Sequence, residues 1–326
     1  MKQILGIDIS KAKVDVALSA DNKQFAQAEF ANDAKGHKAL QKWLKGHHVQ
    51  ELHVCLEATG RYGDEVAHYL HAQGYAVSLV NPSRIHAYGQ SKLRRNKNDR
   101  LDARLIADFC ATQEPELWTP PSVAQRELQE LSREISTLKN DRQRKRNKLK
   151  SGLSSLKTRR SVERHIRFID QEIAKLEQDI EQLIDKEPAL KEDIELLTSI
   201  PAIGITTAVR FVAEVDISRF QQAAQVAAYA GLIPREHSSG TSVHKKARLS
   251  NVGNRHLRTA FYMPSLAAHR SNPIIRALVD RLTERGKSKM TIIGAVMRKL
   301  LHLAFGVLKT RKPFDANHLH IIPVGG

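Results

Sequence analysis

Ile4-Leu5-Gly6-Ile7-Asp8-Ile9-Ser10 runs through Lys11 into Val14-Asp15-Val16-Ala17-Leu18. An apolar run carrying one carboxylate, followed at once by a run alternating apolar and polar residues, predicts two antiparallel strands joined as a hairpin. Asp8 is the anomaly, because a charge in a strand otherwise fit for burial is costly unless it is paired or holds a metal. Chemistry is expected around that carboxylate.

Beyond the hairpin, residues 24–30 add a third strand, and 33–46 form a helix with Leu40, Trp43 and Leu44 on one face. Residues 51–60 are a fourth strand ending in Glu57 and Gly60, 62–73 a helix, and 75–80 a fifth strand stopped by Asn81-Pro82. A last helix, 98–112, turns Leu101, Leu105, Ile106 and Phe109 inward. Three strands and then alternating helices and strands is the order of an α/β, ribonuclease-H-like mixed sheet, assigned to residues 1–118.

That order gathers acids. Asp8 lies on the first strand, Glu57 at the end of the fourth, and Asp99 and Asp102 three apart on the final helix, where i and i+3 share a face. Carboxylates from a central strand, its neighbour and a covering helix suit a pair of magnesium ions about 4 Å apart, set for in-line displacement at a phosphodiester. Singly, each has a plainer role: Asp99 and Asp102 favour a helix dipole, and Glu57 is a solvated strand end. Jointly, the metal site is the better reading. Beside it Arg84, Lys92, Arg94, Arg95 and Lys97 fall in a polar stretch free of acids. That stretch is read as a loop, either holding a phosphate backbone over the site or simply solvated.

Pro120-Pro121 ends this region and Ser122 is placed to cap the next helix. Leu128, Leu131, Ile135 and Leu138 open an apolar seam, and Val162, Ile166, Ile169, Ile173, Leu176, Ile180 and Leu183 continue one in alternating steps of four and three. That is a heptad seam, predicting a helical hairpin or coiled-coil arm over 119–188 whose partner is the chain's own first helix or another subunit. Residues 139–167 hold twelve Lys+Arg, including Arg142, Arg144, Lys145, Arg146 and Lys148, against Asp141 and Glu163. So one-sided a run favours a nucleic-acid backbone over a merely solvated helix face. Aromatics are nearly absent there, which favours reading shape and phosphate over base stacking.

The last region, 189–326, is expected to be mostly helical. Residues 196–208 have the form of a helix-hairpin-helix turn, whose amides would hold a phosphate without reading sequence; a plain helix connection fits as well. Further on, Ser238-Ser239-Gly240 sits among Arg235, His237, His244, Lys245, Lys246 and Arg248. A serine in an electropositive loop suits attack at phosphorus, although Ser-Ser-Gly is more often a turn. Two helices, 273–283 and 290–309, close the chain, each apolar on one face and basic on the other.

Composition agrees with these patterns. With 326 residues and 41% hydrophobic the chain is long enough for two or three globular domains, and its formal net charge of +17 points to nucleic acid as partner. Cys55 and Cys110 have neither metal-ligand nor disulfide-framework spacing, which suits a reducing compartment. Met1-Lys2-Gln3 lacks signal-peptide shape, and the apolar stretch 291–308 is broken by Arg298, Lys299 and His302. A soluble, cytoplasmic protein with no membrane partner is expected.

Gly6-Ile7-Asp8, Glu57-Ala58-Thr59-Gly60, Asn98-Asp99-Arg100-Leu101-Asp102-Ala103, and Ala230-Gly231-Leu232 through Ser238-Ser239-Gly240, in that order, resemble the transposases of the insertion-sequence-110 family, related to Piv-type DNA invertases. The resemblance spans nearly the whole chain. It implies a RuvC-like domain with the acidic quartet Asp8, Glu57, Asp99 and Asp102 and Mg2+ as cofactor. It also implies a C-terminal transposase domain whose serine, matching Ser238, forms a phosphoserine link to DNA, with Ser239 beside it leaving the choice between the two open. The partners implied are target and donor DNA and a non-coding bridge RNA, at the bacterial nucleoid. Separation of the serine from the quartet by the arm suggests a homo-oligomer, dimer or tetramer, joined through the coiled coil. Two rivals stay in view: a RuvC-like metal-dependent nuclease or junction resolvase in which water attacks, and a non-catalytic nucleic-acid-binding protein.

Overall fold

The computed structural model describes residues 3–19, 25–58, 61–92, 99–239, 243–250 and 252–316; at 61, 99–101, 235–239 and 243–248 it describes the backbone. The chain divides into two compact units, Met1–Pro120 and Pro121–Gly326.

In the first unit, strands β1 (Gln3–Ile9), β2 (Lys13–Ser19), β3 (Phe25–Ala31), β4 (Leu52–Glu57) and β5 (Ala76–Val80) form one sheet in the order β3-β2-β1-β4-β5. β2 is antiparallel to both β1 and β3, whereas β4 runs parallel to β1 and to β5. This is the mixed sheet that the order of elements anticipates. Side chains alternate across it. Leu5, Ile7, Val14, Val16, Val54 and Leu56 are buried with Leu40 and Leu44 of α1 (Ala34–Gly46) and Val66 and Leu70 of α2 (Arg61–Ala72). Each such side chain contributes about 1.5–3 kcal/mol by leaving water. α1 starts where Asp33 accepts a 2.7 Å hydrogen bond from the Gly36 amide, satisfying one of the free amides of a helix start.

The other face is covered by α3 (Pro82–Ser91) and α4 (Asp99–Gln113), with Cys55, Val80, Ile85, Ile106, Phe109 and Cys110 packed between. The stretch read as a loop is thus partly helical. Asn81 accepts from the Ser83 amide and Pro82 sits at the first helical position, where its missing N–H costs nothing. Arg84 lies on α3 and Lys92 caps its end, while Arg94, Arg95 and Lys97 lie outside the described residues. Burial and the Cys110 side chain both push the Cys55 thiol far up, so it stays protonated.

The second unit begins with α5 (Val123–Lys150), capped by Ser122, which accepts from the Gln125 amide at 3.1 Å. α5 turns back at 151–155 into α6 (Leu156–Lys186), and the two are tied by Arg142–Asp170 at 2.6 Å and Lys139–Glu177 at 2.7 Å. The α6 seam residues Ile169, Ile173 and Ile180 are buried in one core with Leu128 and Ile135 of α5, and at the seam's end Ile184 is buried where Leu183 was expected. The chain's own first helix is therefore a partner of that seam. The same core continues through α7 (Pro188–Thr198), α8 (Ile205–Glu214), α9 (Ala223–Tyr229), α10 (Arg255–Ser271), α11 (Pro273–Glu284) and α12 (Lys289–Thr310). α12 is long and apolar enough to cross a membrane, yet 56% of its most apolar window is buried inside the unit. Its Gly294, Val296, Leu300, Leu301, Ala304 and Val307 are among its buried residues.

α5 is locked to α8 by polar contacts. Gln125 and Gln129 donate to the Val212 and Ala213 carbonyls at 2.9 and 3.0 Å, at the end of α8 where carbonyls lack helical partners. Arg133 grips the buried Glu214 carboxylate with two bonds of 2.7 and 2.8 Å, and Asn254 adds a third at 2.7 Å.

A Cβ at Gly6 would lie 2.2 Å from the Ala103 carbonyl oxygen and 2.4 Å from the Ala107 amide of α4. Gly6→Ala should therefore cost roughly 3 kcal/mol of stability by urea denaturation. On α12, burial first and then Arg298 and Lys299 depress His302 to about 4, and among the described residues its Nε2 has no hydrogen-bond partner. The unfolded chain takes up that proton below about pH 6.5 and the folded one only near 4, so stability falls as pH drops through that window. His302→Leu should flatten the fall between pH 7 and 5 in the same assay.

Candidate active site

Asp8 is half-buried rather than buried, and its Oδ1 accepts from the Ile9 amide at 3.0 Å. It lies two residues beyond Gly6 on the face that α4 covers. Ile7 pairs with Leu56, so Glu57 follows on β4 beside Asp8, two residues beyond Cys55, which faces α4. Asp102 lies in the N-terminal part of α4, immediately before the Ala103 whose carbonyl contacts Gly6. Asp99 begins the helix one turn earlier and is described by its backbone. Among the described residues no three His, Cys, Asp or Glu side chains stand close enough together to hold an ion. Asp8, Glu57 and Asp102 thus share one face of the sheet without forming a closed cage. As hard oxygen donors they match magnesium in chemistry.

Sequence reading missed the neighbour of Asp8. Asp8 pairs with Asp15 across β1–β2, and Asp15 pairs with Glu29 across β2–β3. Glu57, Asp8, Asp15 and Glu29 therefore form one row across four strands, about 4.8 Å apart from strand to strand. Asp15 is the buried member, 4% exposed. Like charges directly opposite each other repel, and Lys13 offsets this by reaching Asp15 at 3.1 Å and Glu29 at 3.0 Å. The signal was present in the alternation Lys13-Val14-Asp15-Val16, which puts a carboxylate on the face opposite the apolar residues.

Ser238 and Ser239 lie on strand β6 (Pro234–Ser239), where a turn or loop was expected. β6 pairs with β7 (Val243–Leu249), setting Ser238 opposite His244, Ser239 opposite Val243 and His237 opposite Lys245, with a bulge between Arg235 and His237. Lys245, Lys246 and Arg248 are on β7. The hairpin's base is closed by Gly231 and Gly253, both at positive φ, whose backbones touch so closely that a Cβ at 253 would lie 2.5 Å from the Gly231 nitrogen.

At the arm's tip, Arg144, Arg146 and Lys148 are exposed and Arg142 and Lys145 half-buried. Arg142 pairs with Asp170 and Arg144 with Asp141, while among the described residues Lys145, Arg146 and Lys148 carry no ion pair. The turn between α7 and α8, 199–204, contains Ala202 in the left-handed region at φ 81°.

A carboxylate row on a mixed sheet, with a basic arm and a serine-bearing hairpin on a second unit, marks a protein of nucleic-acid transactions. Comparison supplies the family. Residues 5–157 match a family model described as "Transposase", and 194–280 one described as "Transposase IS116/IS110/IS902 family". The pilin gene-inverting protein of Moraxella bovis is 36% identical over 96% of this chain and 98% of its own. The transposase for insertion sequence element IS1111A of Coxiella burnetii is 26% identical over 71% and 68%. T. thermophilus RuvC in complex with a Holliday junction substrate aligns with 36% of this chain and 100% of its own, at 13% identity and a TM-score of 0.28. The chain belongs to the IS110 family of transposases.

Lys13→Met leaves Asp15 without its cation. Because Lys13 is one-third exposed, the loss should be moderate, roughly 1–2 kcal/mol in urea denaturation. Adding Asp15→Asn should restore most of it.

Proposed function

We propose that this chain is an RNA-guided DNA recombinase of an insertion sequence that cuts and rejoins DNA through a phosphoserine intermediate. The observation that carries the reading is the row of carboxylates beneath α4, in a chain of an established transposase family. Asp8, Glu57, Asp99 and Asp102 would hold Mg2+, which when bound neutralises charge developing on the scissile phosphate. Asp15, held by Lys13, would add negative potential beside Asp8.

Ser238 is the proposed nucleophile. Its hydroxyl loses a proton, its oxygen bonds to phosphorus, and one ester bond of the DNA backbone breaks, the departing deoxyribose oxygen taking up a proton. The energy of that bond is retained in the serine ester, so a second strand's hydroxyl reverses the step without ATP. The basic neighbours Lys245, Lys246 and Arg248 would stabilise the charged phosphorus centre. Arg94, Arg95 and Lys97, with Arg142, Arg144, Lys145, Arg146 and Lys148 on the arm, would hold the backbones of target DNA, donor DNA and bridge RNA. Two or four copies joined through a coiled-coil arm would bring one copy's serine to another's carboxylates, in the cytoplasm at the nucleoid.

Denaturing electrophoresis of labelled recombination-site DNA with protein, Mg2+ and the co-expressed RNA tests this. Wild type should give a protease-sensitive shifted band. Ser238→Ala should abolish it, and Glu57→Gln should slow it by about 10³-fold or more. Free cleaved ends that persist in Ser238→Ala would make the chain a metal-dependent nuclease using water.

A further inference from the structure

A cavity of about 290 Å³ opens in the second unit between α5, α8 and the start of α10, lined among others by Arg133, Arg210, Glu214, Arg255, His256 and Thr259. Its charges do not balance. Glu214 is the one carboxylate in this lining, and Arg133 and Asn254 already hold both of its oxygens. Lys139 at the rim is paired with Glu177. Arg210 and Arg255 are left, and among the described residues neither has an ion-pair or hydrogen-bond partner. Arg210 is half-buried, and that burial pushes its guanidinium below its ordinary value, whereas Arg255 stands exposed at the mouth.

A half-buried guanidinium without a counter-ion carries a desolvation cost that a neighbouring acid normally offsets. Here the acid within reach is committed elsewhere. Around the arginines stand the Thr259 hydroxyl and the Asn140 amide, while the Ser136 and Thr137 hydroxyls donate to the Ser132 and Arg133 carbonyls. Planar N–H forks beside a neutral hydroxyl and a neutral amide are the complement of a group with several anionic oxygens and little bulk. His256, whose imidazole burial pushes below its ordinary value, adds a polar wall without adding charge near neutrality.

We propose that this cavity seats one phosphodiester of a nucleic-acid backbone, gripped by Arg210 and Arg255. The proposal rests on nucleic acid being the partner, but it names a contact separate from the basic arm tip and from the serine hairpin. Because Arg133 and Glu214 form one wall while tying α5 to α8, a phosphate seated there touches both the arm and the body of the unit.

The test uses the full-length chain, a fluorescently labelled duplex DNA and a labelled single-stranded RNA of the same length, with anisotropy read across a salt series. Arg210→Gln and Arg255→Gln should each weaken binding roughly tenfold and lower the slope of log affinity against log salt by about one. Loss confined to DNA assigns the seat to a duplex backbone, loss confined to RNA to the guide, and loss of both to either. The thermal midpoint of the ligand-free Arg210→Gln protein should be unchanged or higher, as expected when a half-buried charge without a counter-ion is removed. A lower midpoint for Arg210→Gln with Arg255→Gln binding normally would overturn the proposal, as would undiminished affinity and slope for both polymers in both variants. Wild type binding neither polymer would instead sink the nucleic-acid reading itself.

Discussion

Helix α4 can lie on the sheet only because residue 6 has no side chain. The Ala103 carbonyl and Ala107 amide occupy the space a Cβ would need, so helix and strand backbones meet directly. Everything at the first unit's candidate centre depends on that approach. It sets the helix that begins with Asp99 and Asp102 on the face where β1 carries Asp8 and β4 carries Glu57. A larger residue would lift the helix and separate its acids from those of the strands. Packing and chemistry are thus governed by one position, and Cys55 and Cys110 behave as small apolar fillers of the same interface.

The carboxylate row sharpens what that face can do. Four acids in neighbouring strands would make the sheet repel itself from strand to strand, yet only Asp15 is fully withdrawn from water, and it is the one that Lys13 holds. The sheet therefore tolerates the row by neutralising its far end internally and leaving Asp8 and Glu57 half-buried. In the second unit a similar balance fails to close: Glu214 is saturated by Arg133 and Asn254 while Arg210 has no acidic partner among the described residues. The first unit gathers carboxylates on one face of its sheet, and the second sets guanidinium groups beside a carboxylate that is already taken.

Where sequence patterns are local, they could be read. The alternation of Val14, Val16 and Leu18, the Ser122 cap and the helical periodicity of α6 act within a few residues of themselves, and the strand, the cap and the helix are all present. Asn81-Pro82 shows how a local signal divides two ways: it ended β5 as expected, but the same two residues also begin α3. The hairpin β6–β7 and helices α9 and α10 were not legible, because Pro234, the Gly231–Gly253 contact and Pro264 inside α10 all resemble breakers in sequence. Asp15 stands in the opening hairpin yet gave no sign of its role, since its importance comes from pairing with Asp8 and Glu29 on other strands. The Arg210 cavity draws on residues from 132 to 259, and no window of sequence contains it.

Division into Met1–Pro120 and Pro121–Gly326 also bears on how the chain is made. Every strand of the five-stranded sheet, and α4 above it, lies within the first 120 residues. Domains fold as units while the rest is still being translated, so the sheet with its acids can close on the ribosome before the returning helix of the arm exists. The half bearing the carboxylates is then a finished object while the half bearing Ser238 is still unsynthesised, so the fold of one does not wait on the fold of the other.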